Sequence, residues 1–203
     1  MRGAIIHAYY RFLAICLCTL PKRSISPTLI SIGSLFLSLV AAASYSKGLM
    51  LWGGAVLLLS GFMDTLDGTI ARLSGKATKF GALLDSSLDR WADFFVYAGL
   101  LIYYRGSPVF YAVLLSIIGS FMVSYVKARA ESLGKIRVVG LMQRPERVLL
   151  LAVASFLVPV ISRYYPNYRE VPVIVVLCFM AVFTNITAMH RLLAARSDLS
   201  QQE

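Results

Sequence analysis

Residues 64–89, DTLDGTIARLSGKATKFGALLDSSLD, lie between two apolar segments and hold four of the ten acidic side chains in the chain. Asp64 and Asp67 are three residues apart and Asp85 and Asp89 are four apart, so each pair shares one face of a helix. The first pair ends one apolar segment and the second begins the next. A short loop between two neighbouring helices would bring the pairs opposite each other. The stretch therefore predicts a helical pair with a four-carboxylate site at one end.

The composition of the chain favours a membrane protein. Its 203 residues are 58% hydrophobic, and the mean hydropathy is +0.72. Soluble domains contain about 45–50% apolar residues. A chain of about 200 residues keeps too much of its mass at the surface to bury such an excess. The excess therefore predicts an environment of lipid.

The apolar segments divide the chain into a predicted six-helix membrane bundle over 28–196. Residues 2–23 are apolar at a helical period, but Arg2, His7 and Arg11 interrupt them, which favours an amphipathic helix lying in the headgroup plane. We thus expect residues 1–203 to form a single all-α membrane domain. The six transmembrane helices are predicted at residues 28–46, 49–73, 80–104, 108–132, 145–164 and 171–196.

The distribution of basic residues predicts how the bundle sits in the cell membrane. The net charge is +10, from 20 Lys and Arg against 10 Asp and Glu. These cations cluster between apolar runs, which indicates anionic lipid headgroups as their partners and argues against nucleic acid. With both termini on one side, that side holds 16 of the 20 cations. The positive-inside bias therefore places the termini and the acidic cluster in the cytoplasm.

The acidic cluster has the composition of a metal and phosphate site. Four carboxylates at a membrane boundary repel one another, and a hard divalent cation with oxygen ligands offsets that charge. Gly68 and Gly81 would let a ligand approach the backbone closely, and Arg72 could clamp a phosphate. Two cations could bridge a pyrophosphate, and a carboxylate outside their coordination could take a proton from an attacking hydroxyl. Alternatively, the aspartates cap helices and form a charge network with Arg72, Lys76, Lys79 and Arg90.

One protein family resembles this pattern at every fixed position. The CDP-alcohol phosphatidyltransferase signature is matched by Asp64-x-x-Asp67-Gly68-x-x-Ala71-Arg72, eight residues, then Gly81-x-x-x-Asp85-x-x-x-Asp89. The resemblance implies that an alcohol attacks the lipid-bearing phosphorus of a CDP-activated lipid and CMP leaves by direct displacement. It also implies that the four aspartates ligate two Mg²⁺ or Mn²⁺ ions and that Asp89 is the general base.

The same resemblance implies a nucleotide pocket and an assembly. Gly68, Arg72 and Gly81 would cradle the nucleotide end of CDP-diacylglycerol or CDP-archaeol, and Thr28 and Ser31 are further candidates at the start of the first span. A homodimer is implied as well. Small residues such as Gly99 and Gly119 would permit close helix packing.

A second basic segment bears on the acceptor. Six cations fall between Lys127 and Arg147. They fit either a positive-inside loop on anionic lipid or a pocket that holds a phosphorylated acceptor away from the carboxylates. Residues 124–131, 144–147 and 190–192 resemble the phosphatidylinositol-phosphate synthase branch, which implies inositol 1-phosphate as acceptor, with glycerol 3-phosphate as the alternative. The implied acceptor-binding residues are Lys127, Arg129, Lys135, Arg144 and Arg191.

Two rival classes share some of these features. Intramembrane prenyltransferases also use aspartate-rich helix ends and metal, but their motifs lack the glycine and Ala-Arg pair found at Gly68 and Ala71-Arg72. A small transporter would use intramembrane carboxylates as ion sites near the midplane. The acidic cluster instead lies at one membrane face. Both rivals are therefore less well supported than the transferase.

Overall fold

The computed structural model describes residues 27–73, 78–134 and 142–199, of which the side chains of 28–70, 78–134 and 142–197 are described. The interfacial helix predicted at 2–23 and the predicted acceptor residue Lys135 lie outside the described residues. The described part is all-helical, as predicted, and contains no strand. Its helices are α1 (Pro27–Ser46), α2 (Met50–Leu73), α3 (Lys79–Tyr103), α4 (Val109–Ser132), α5 (Arg144–Tyr164) and α6 (Val171–Leu199), with a 3₁₀ turn at Pro166–Tyr168.

Four helical segments in the described part are long and apolar enough to cross a membrane. They are Thr28–Ser46, Val109–Ser132, Arg144–Tyr164 and Pro166–Ser197. α2 and α3 are not among the four, since both carry charged side chains of the acidic cluster. Six helices are therefore found where six were predicted, and a membrane-spanning role for α2 and α3 stays a prediction.

The contacts among the helices make α1 the element against which both α2 and α3 pack. α1 packs on both α2 and α3, α5 packs on α2, and α4 pairs with α6. Gly99 of α3 lies so close to the backbone of Ala42 in α1 that a methyl group there would clash with it. A methyl group on Gly119 of α4 would likewise clash with the side chain of Thr184 in α6. Both glycines thus serve close packing within one chain.

Hydroxyl groups set the register between α1 and α2. Ser60 of α2 donates to the backbone oxygen of Ser34 at 2.8 Å, and its Oγ lies 2.8 Å from that of Ser38. All three serines are buried. In lipid no water competes for such groups, so each buried hydroxyl needs a protein partner. This register places Ser31, one turn before Ser34, beside the end of α2.

Capping interactions fix the points at which α3 and α5 begin. Thr78 begins α3 as its N-cap and accepts a hydrogen bond from the backbone N–H of Gly81 at 2.9 Å. At α5 a capping box joins Gln143 and Glu146, with the Gln143 N–H donating to Glu146 Oε2 at 3.0 Å. Met142, just before this box, has a φ of 65°. The backbone therefore turns sharply into α5, and Arg144 becomes the first residue of that helix.

Candidate active site

Three of the four predicted metal-binding carboxylates meet between α2 and α3. Asp64, Asp67 and Asp85 each offer an oxygen, and these oxygens all lie within 4.8 Å of one another. Three negative charges at this spacing repel strongly where water is scarce, because the interaction energy rises as the local dielectric falls. A divalent cation is the simplest group that stabilises such a triad.

The hydrogen bonding of the Asp67 carboxylate shows whether the residues of the site fit a metal ion. Its side chain is only 2% exposed. One oxygen, Oδ2, accepts a hydrogen bond from Ser31 Oγ at 2.5 Å. The other oxygen, Oδ1, is buried and has no hydrogen-bond partner in the part of the chain that the structure describes. Buried carboxylate oxygens are rarely left without a partner, so a cation bound to Oδ1 would account for this arrangement, and the donor set of the triad fits a divalent metal.

Asp89 lies outside the triad and faces an arginine. Arg144 Nη1 is 2.7 Å from Asp89 Oδ1 and 2.5 Å from Asp64 Oδ2. Asp89 Oδ1 makes an ion pair here without the alignment of a hydrogen bond. Arg90, the neighbour on α3, is farther away at 3.9 Å. The guanidinium of Arg144 therefore bridges one carboxylate of the triad and the predicted general base.

Two charged residues that the sequence interpretation did not assign to the site complete the cluster. Asp93 accepts from Arg144 Nε at 3.2 Å and from Arg147 Nη2 at 2.5 Å. Asp93 continues the four-residue spacing of Asp85 and Asp89, and Arg147 follows Arg144 by three residues, so helical spacing would have found both. Asp93 was missed because the family signature ends at Asp89, and Arg147 was missed because only Arg144 of residues 144–147 was assigned to the acceptor.

A cavity of about 170 Å³ opens beside this cluster. It lies between α3, α4, α5 and α6, and its wall includes five cationic and two acidic side chains. They are Arg90, Lys127, Arg144, Arg147 and Arg191, with Asp89 and Asp93. The excess of three positive charges suits an anionic ligand, and the polar groups of Ser120 and Ser124 add hydrogen-bonding capacity.

The predicted acceptor residues divide between this cavity and the surface. Lys127, Arg144 and Arg191 line the cavity. Arg191 is 6% exposed and donates to the backbone oxygen of Val123 at 2.8 Å, which fixes α6 against α4. Arg129 is exposed on the other side of α4 and contacts Ser132 Oγ at 3.5 Å. The structure thus brings three of these residues together and leaves Arg129 out.

The predicted nucleotide residues lie around the ends of α1, α2 and α3. Gly68 directly follows Asp67, and Gly81 is in the first turn of α3. Thr28 is exposed at the start of α1. Ser31 donates a hydrogen bond to Asp67, so its effect on a bound ligand would act through that carboxylate of the triad. The side chain of Arg72 lies outside the described residues.

The bond from Ser31 to Asp67 leads to a first prediction. Ser31→Ala should weaken Mn²⁺ binding about tenfold, since loss of an outer hydrogen bond to a metal ligand costs about 10–100-fold in affinity. Titration of Mn²⁺ followed by electron paramagnetic resonance measures this. Ser44→Ala is the matched control, because Ser44 lies near the other end of the same helix and donates to the Val40 carbonyl. Equal affinities for the two variants would contradict the role given to Ser31.

The comparisons with known proteins point in one direction. The family model for CDP-alcohol phosphatidyltransferase matches residues 24–190. The archaetidylinositol phosphate synthase of Methanothermobacter thermautotrophicus is 36% identical over 160 residues, which cover 79% of each chain. The phosphatidylinositol phosphate synthase of Mycobacteroides abscessus is 33% identical over 182 residues, covering 87% of this chain and 80% of that protein.

Solved structures of a mycobacterial enzyme share the fold. The phosphatidylinositol phosphate synthase of Mycobacterium tuberculosis with bound CDP-DAG has a TM-score of 0.77 at 29% identity, covering 91% of this chain and 94% of that one. The same enzyme in complex with manganese and citrate has a TM-score of 0.73 at 29% identity, covering 84% and 82% of the two chains.

Proposed function

This chain belongs to the CDP-alcohol phosphatidyltransferase family and is a phosphotransferase of the membrane, and on that premise we propose that it makes an inositol phospholipid. It transfers a phosphatidyl or archaetidyl group from a CDP-activated lipid to inositol 1-phosphate and releases CMP. The observation that carries this proposal is the junction between the acidic triad and the cationic cavity. At that junction Arg144 contacts Asp64, on the triad side, and Asp89, on the cavity side.

On the donor side, the chain's carboxylates would hold the metal. Asp64, Asp67 and Asp85 fit one divalent ion, Mg²⁺ or Mn²⁺, and Asp89 would complete a set for a second. When bound, two such ions would neutralise the diphosphate and stabilise the departing CMP oxygen. Ser31 orients Asp67 for this role. Gly68, Arg72, Gly81 and Thr28 border the space for the cytidine and its phosphates.

On the acceptor side, cations hold the phosphate of inositol 1-phosphate. Lys127, Arg144 and Arg191 supply a point charge and two planar guanidinium groups, which suit a phosphate dianion. A phosphate dianion would be attracted by the excess of three positive charges in the cavity wall, an attraction that a neutral alcohol would lack. Such a site therefore selects a phosphorylated acceptor.

The position of Asp89 suits a proton acceptor in a direct displacement. Asp89 lines the acceptor cavity and is four residues from Asp85 of the triad, so it stands between the two substrates. The acceptor hydroxyl oxygen forms a bond to the lipid-bearing phosphorus while the bond from that phosphorus to CMP breaks. The hydroxyl proton passes to Asp89. No covalent lipid–enzyme intermediate is formed, and no serine or cysteine nucleophile is required.

The orientation and assembly of the enzyme complete the proposal. Both termini and the active site face the cytoplasm, because that side holds 16 of the 20 basic residues. The six helices all span the bilayer, with the charged ends of α2 and α3 at its cytoplasmic boundary. The enzyme acts as a homodimer.

CMP release tests the reaction and the acceptor together. Purified protein with Mg²⁺ and CDP-diacylglycerol, and in parallel with CDP-archaeol, is given inositol 1-phosphate, inositol, glycerol 3-phosphate or serine. Release with inositol 1-phosphate alone is expected. Release with glycerol 3-phosphate instead would keep the reaction and change the acceptor. No release with any acceptor would contradict the proposal and favour a transporter.

Arg144 provides the second prediction. Arg144→Gln should raise the KM for inositol 1-phosphate about 10–100-fold, since a hydrogen bond to a charged group contributes about 1.5–3 kcal/mol and each 1.4 kcal/mol is tenfold. Steady-state kinetics with each substrate varied in turn measures it. Arg163→Gln, in the last turn of the same helix, should leave both KM values unchanged. A change confined to the KM of the CDP-lipid would refute the acceptor role of Arg144.

A further inference from the structure

Asp93 pairs with two arginines at once, and the proposed function gives it no role, although it lies in the wall of the acceptor cavity. It lies one helical turn beyond Asp89 on α3, and its side chain is 14% exposed. Oδ1 accepts from Arg144 Nε at 3.2 Å, and Oδ2 accepts from Arg147 Nη2 at 2.5 Å. Both oxygens are therefore directed at the first turn of α5 and away from the acidic triad.

Arg147 links Asp93 to the backbone that precedes α5. Its side chain is 4% exposed, and Nη1 donates to the Met142 carbonyl at 2.9 Å. Met142 is a non-glycine residue in the left-handed region, a conformation that is costly without surrounding support. Asp93 and Arg147 together thus fix the backbone that leads into α5, and so the point from which Arg144 projects.

Arg144 forms ion pairs with carboxylates on two sides. Its Nη1 lies between Asp64 and Asp89, two of the proposed metal ligands, while its Nε is held by Asp93. A guanidinium and a metal ion compete for the same carboxylates, because both are cations. Without Asp93 the attraction of Asp64 and Asp89 would be unopposed, and Arg144 would leave the cavity wall for the metal site.

We propose that Asp93 is a positioning residue, which keeps Arg144 on the wall of the acceptor cavity and limits its competition with the metal at Asp64 and Asp89. This inference rests on the proposed function, since it takes the cavity as the acceptor site. It assigns to Asp93 two effects at once, on acceptor binding and on metal binding, and both act through Arg144.

Kinetics test the effect on the acceptor. Asp93→Asn preserves the size of the side chain and removes its charge. We expect the KM for inositol 1-phosphate to rise about tenfold, with the KM for the CDP-lipid and kcat at saturation within about threefold of the wild type. Glu170→Gln is the control, because Glu170 is also a carboxylate paired with an arginine. Its Oε1 lies 3.3 Å from Arg169 Nη2, and the pair is remote from the site.

Mn²⁺ binding without substrates tests the effect on the metal. Electron paramagnetic resonance should show that Asp93→Asn binds Mn²⁺ about fivefold to tenfold more weakly than the wild type. Adding Arg144→Gln to Asp93→Asn should restore most of that affinity, because the competing cation is gone. A general loss of structure would not be repaired by a second substitution in the same cluster.

The outcomes separate this inference from the proposed function. If the wild type releases CMP, the inference fails when Asp93→Asn leaves the acceptor KM within twofold, or when the double variant binds Mn²⁺ no better than Asp93→Asn. If the wild type releases no CMP, the proposed function fails, and the Mn²⁺ comparison still decides whether Asp93 restrains Arg144. Should Asp93→Asn not fold, Asp93→Glu is the second variant, because it keeps the charge. It is expected to raise the KM for inositol 1-phosphate and to weaken Mn²⁺ binding by smaller factors than Asp93→Asn.

Discussion

Asp89→Asn is expected to lower kcat about 10²–10⁴-fold, the usual contribution of a positioned general base. Asparagine has the shape of aspartate but accepts no proton at neutral pH. It can still lie against Arg144, which is 2.7 Å from the carboxylate, so the cavity wall should persist. CMP release at saturating CDP-diacylglycerol and inositol 1-phosphate measures the loss, and calorimetric titration measures binding of the CDP-lipid.

The split between these two readouts identifies the role of Asp89. Binding of the CDP-lipid should stay within about threefold of the wild type if proton transfer is the main function lost. Turnover that persists near the wild-type rate would refute the general base. A joint loss of turnover and of lipid binding would reassign Asp89 to the metal site alone. Glu170→Gln, remote from the site, should behave as the wild type.

Asp67→Asn should abolish high-affinity Mn²⁺ binding and lower turnover at least about a hundredfold. Metal polarisation contributes several kcal/mol to such a reaction, and each 1.36 kcal/mol is tenfold in rate. Asp67 is the most buried carboxylate of the triad, and its Oδ1 has no hydrogen-bond partner among the described residues. The amide removes the charge that would hold an ion there while keeping the contact with Ser31.

Ser31→Ala provides the graded comparison for this result. The serine variant keeps the carboxylate and should lose only part of the Mn²⁺ affinity, whereas Asp67→Asn should lose nearly all of it. Thermal unfolding of both variants should begin near the wild-type temperature, which separates a metal defect from a folding defect. Wild-type Mn²⁺ affinity in Asp67→Asn would place the metal elsewhere and overturn the reading of the triad.

The sequence allowed the helices and the acidic cluster to be predicted because both depend on local patterns. Apolar segments, helical spacing and the two glycines of the signature are properties of short stretches. The triad needs only the short connection from α2 to α3, which brings Asp64 and Asp67 to Asp85. The sequence predicts six membrane-crossing helices, whereas four described segments are long and apolar enough to cross, since charged residues at the ends of α2 and α3 lower their apolar character.

The contacts of Arg144 depend on packing between distant segments. Arg144 is 80 residues from Asp64 and 51 from Asp93, and no local pattern sets how α5 lies against α2 and α3. Arg129 illustrates a different limit. It is two residues from Lys127 on one helix, and residues two apart do not share a face. Spacing alone would have separated them, although both belong to the segment that resembles the family branch.

The hydroxyl contacts between α1 and α2 bear on how the enzyme enters the membrane. Only three residues, 47–49, join these helices, so closing the pair costs little chain entropy. Ser34, Ser38 and Ser60 satisfy one another within the pair, and lipid would favour that bond as soon as both helices are present. In the proposed six-span arrangement, α1 and α2 can therefore insert as a hairpin, with Ser31 already beside Asp67 before α3 is synthesised.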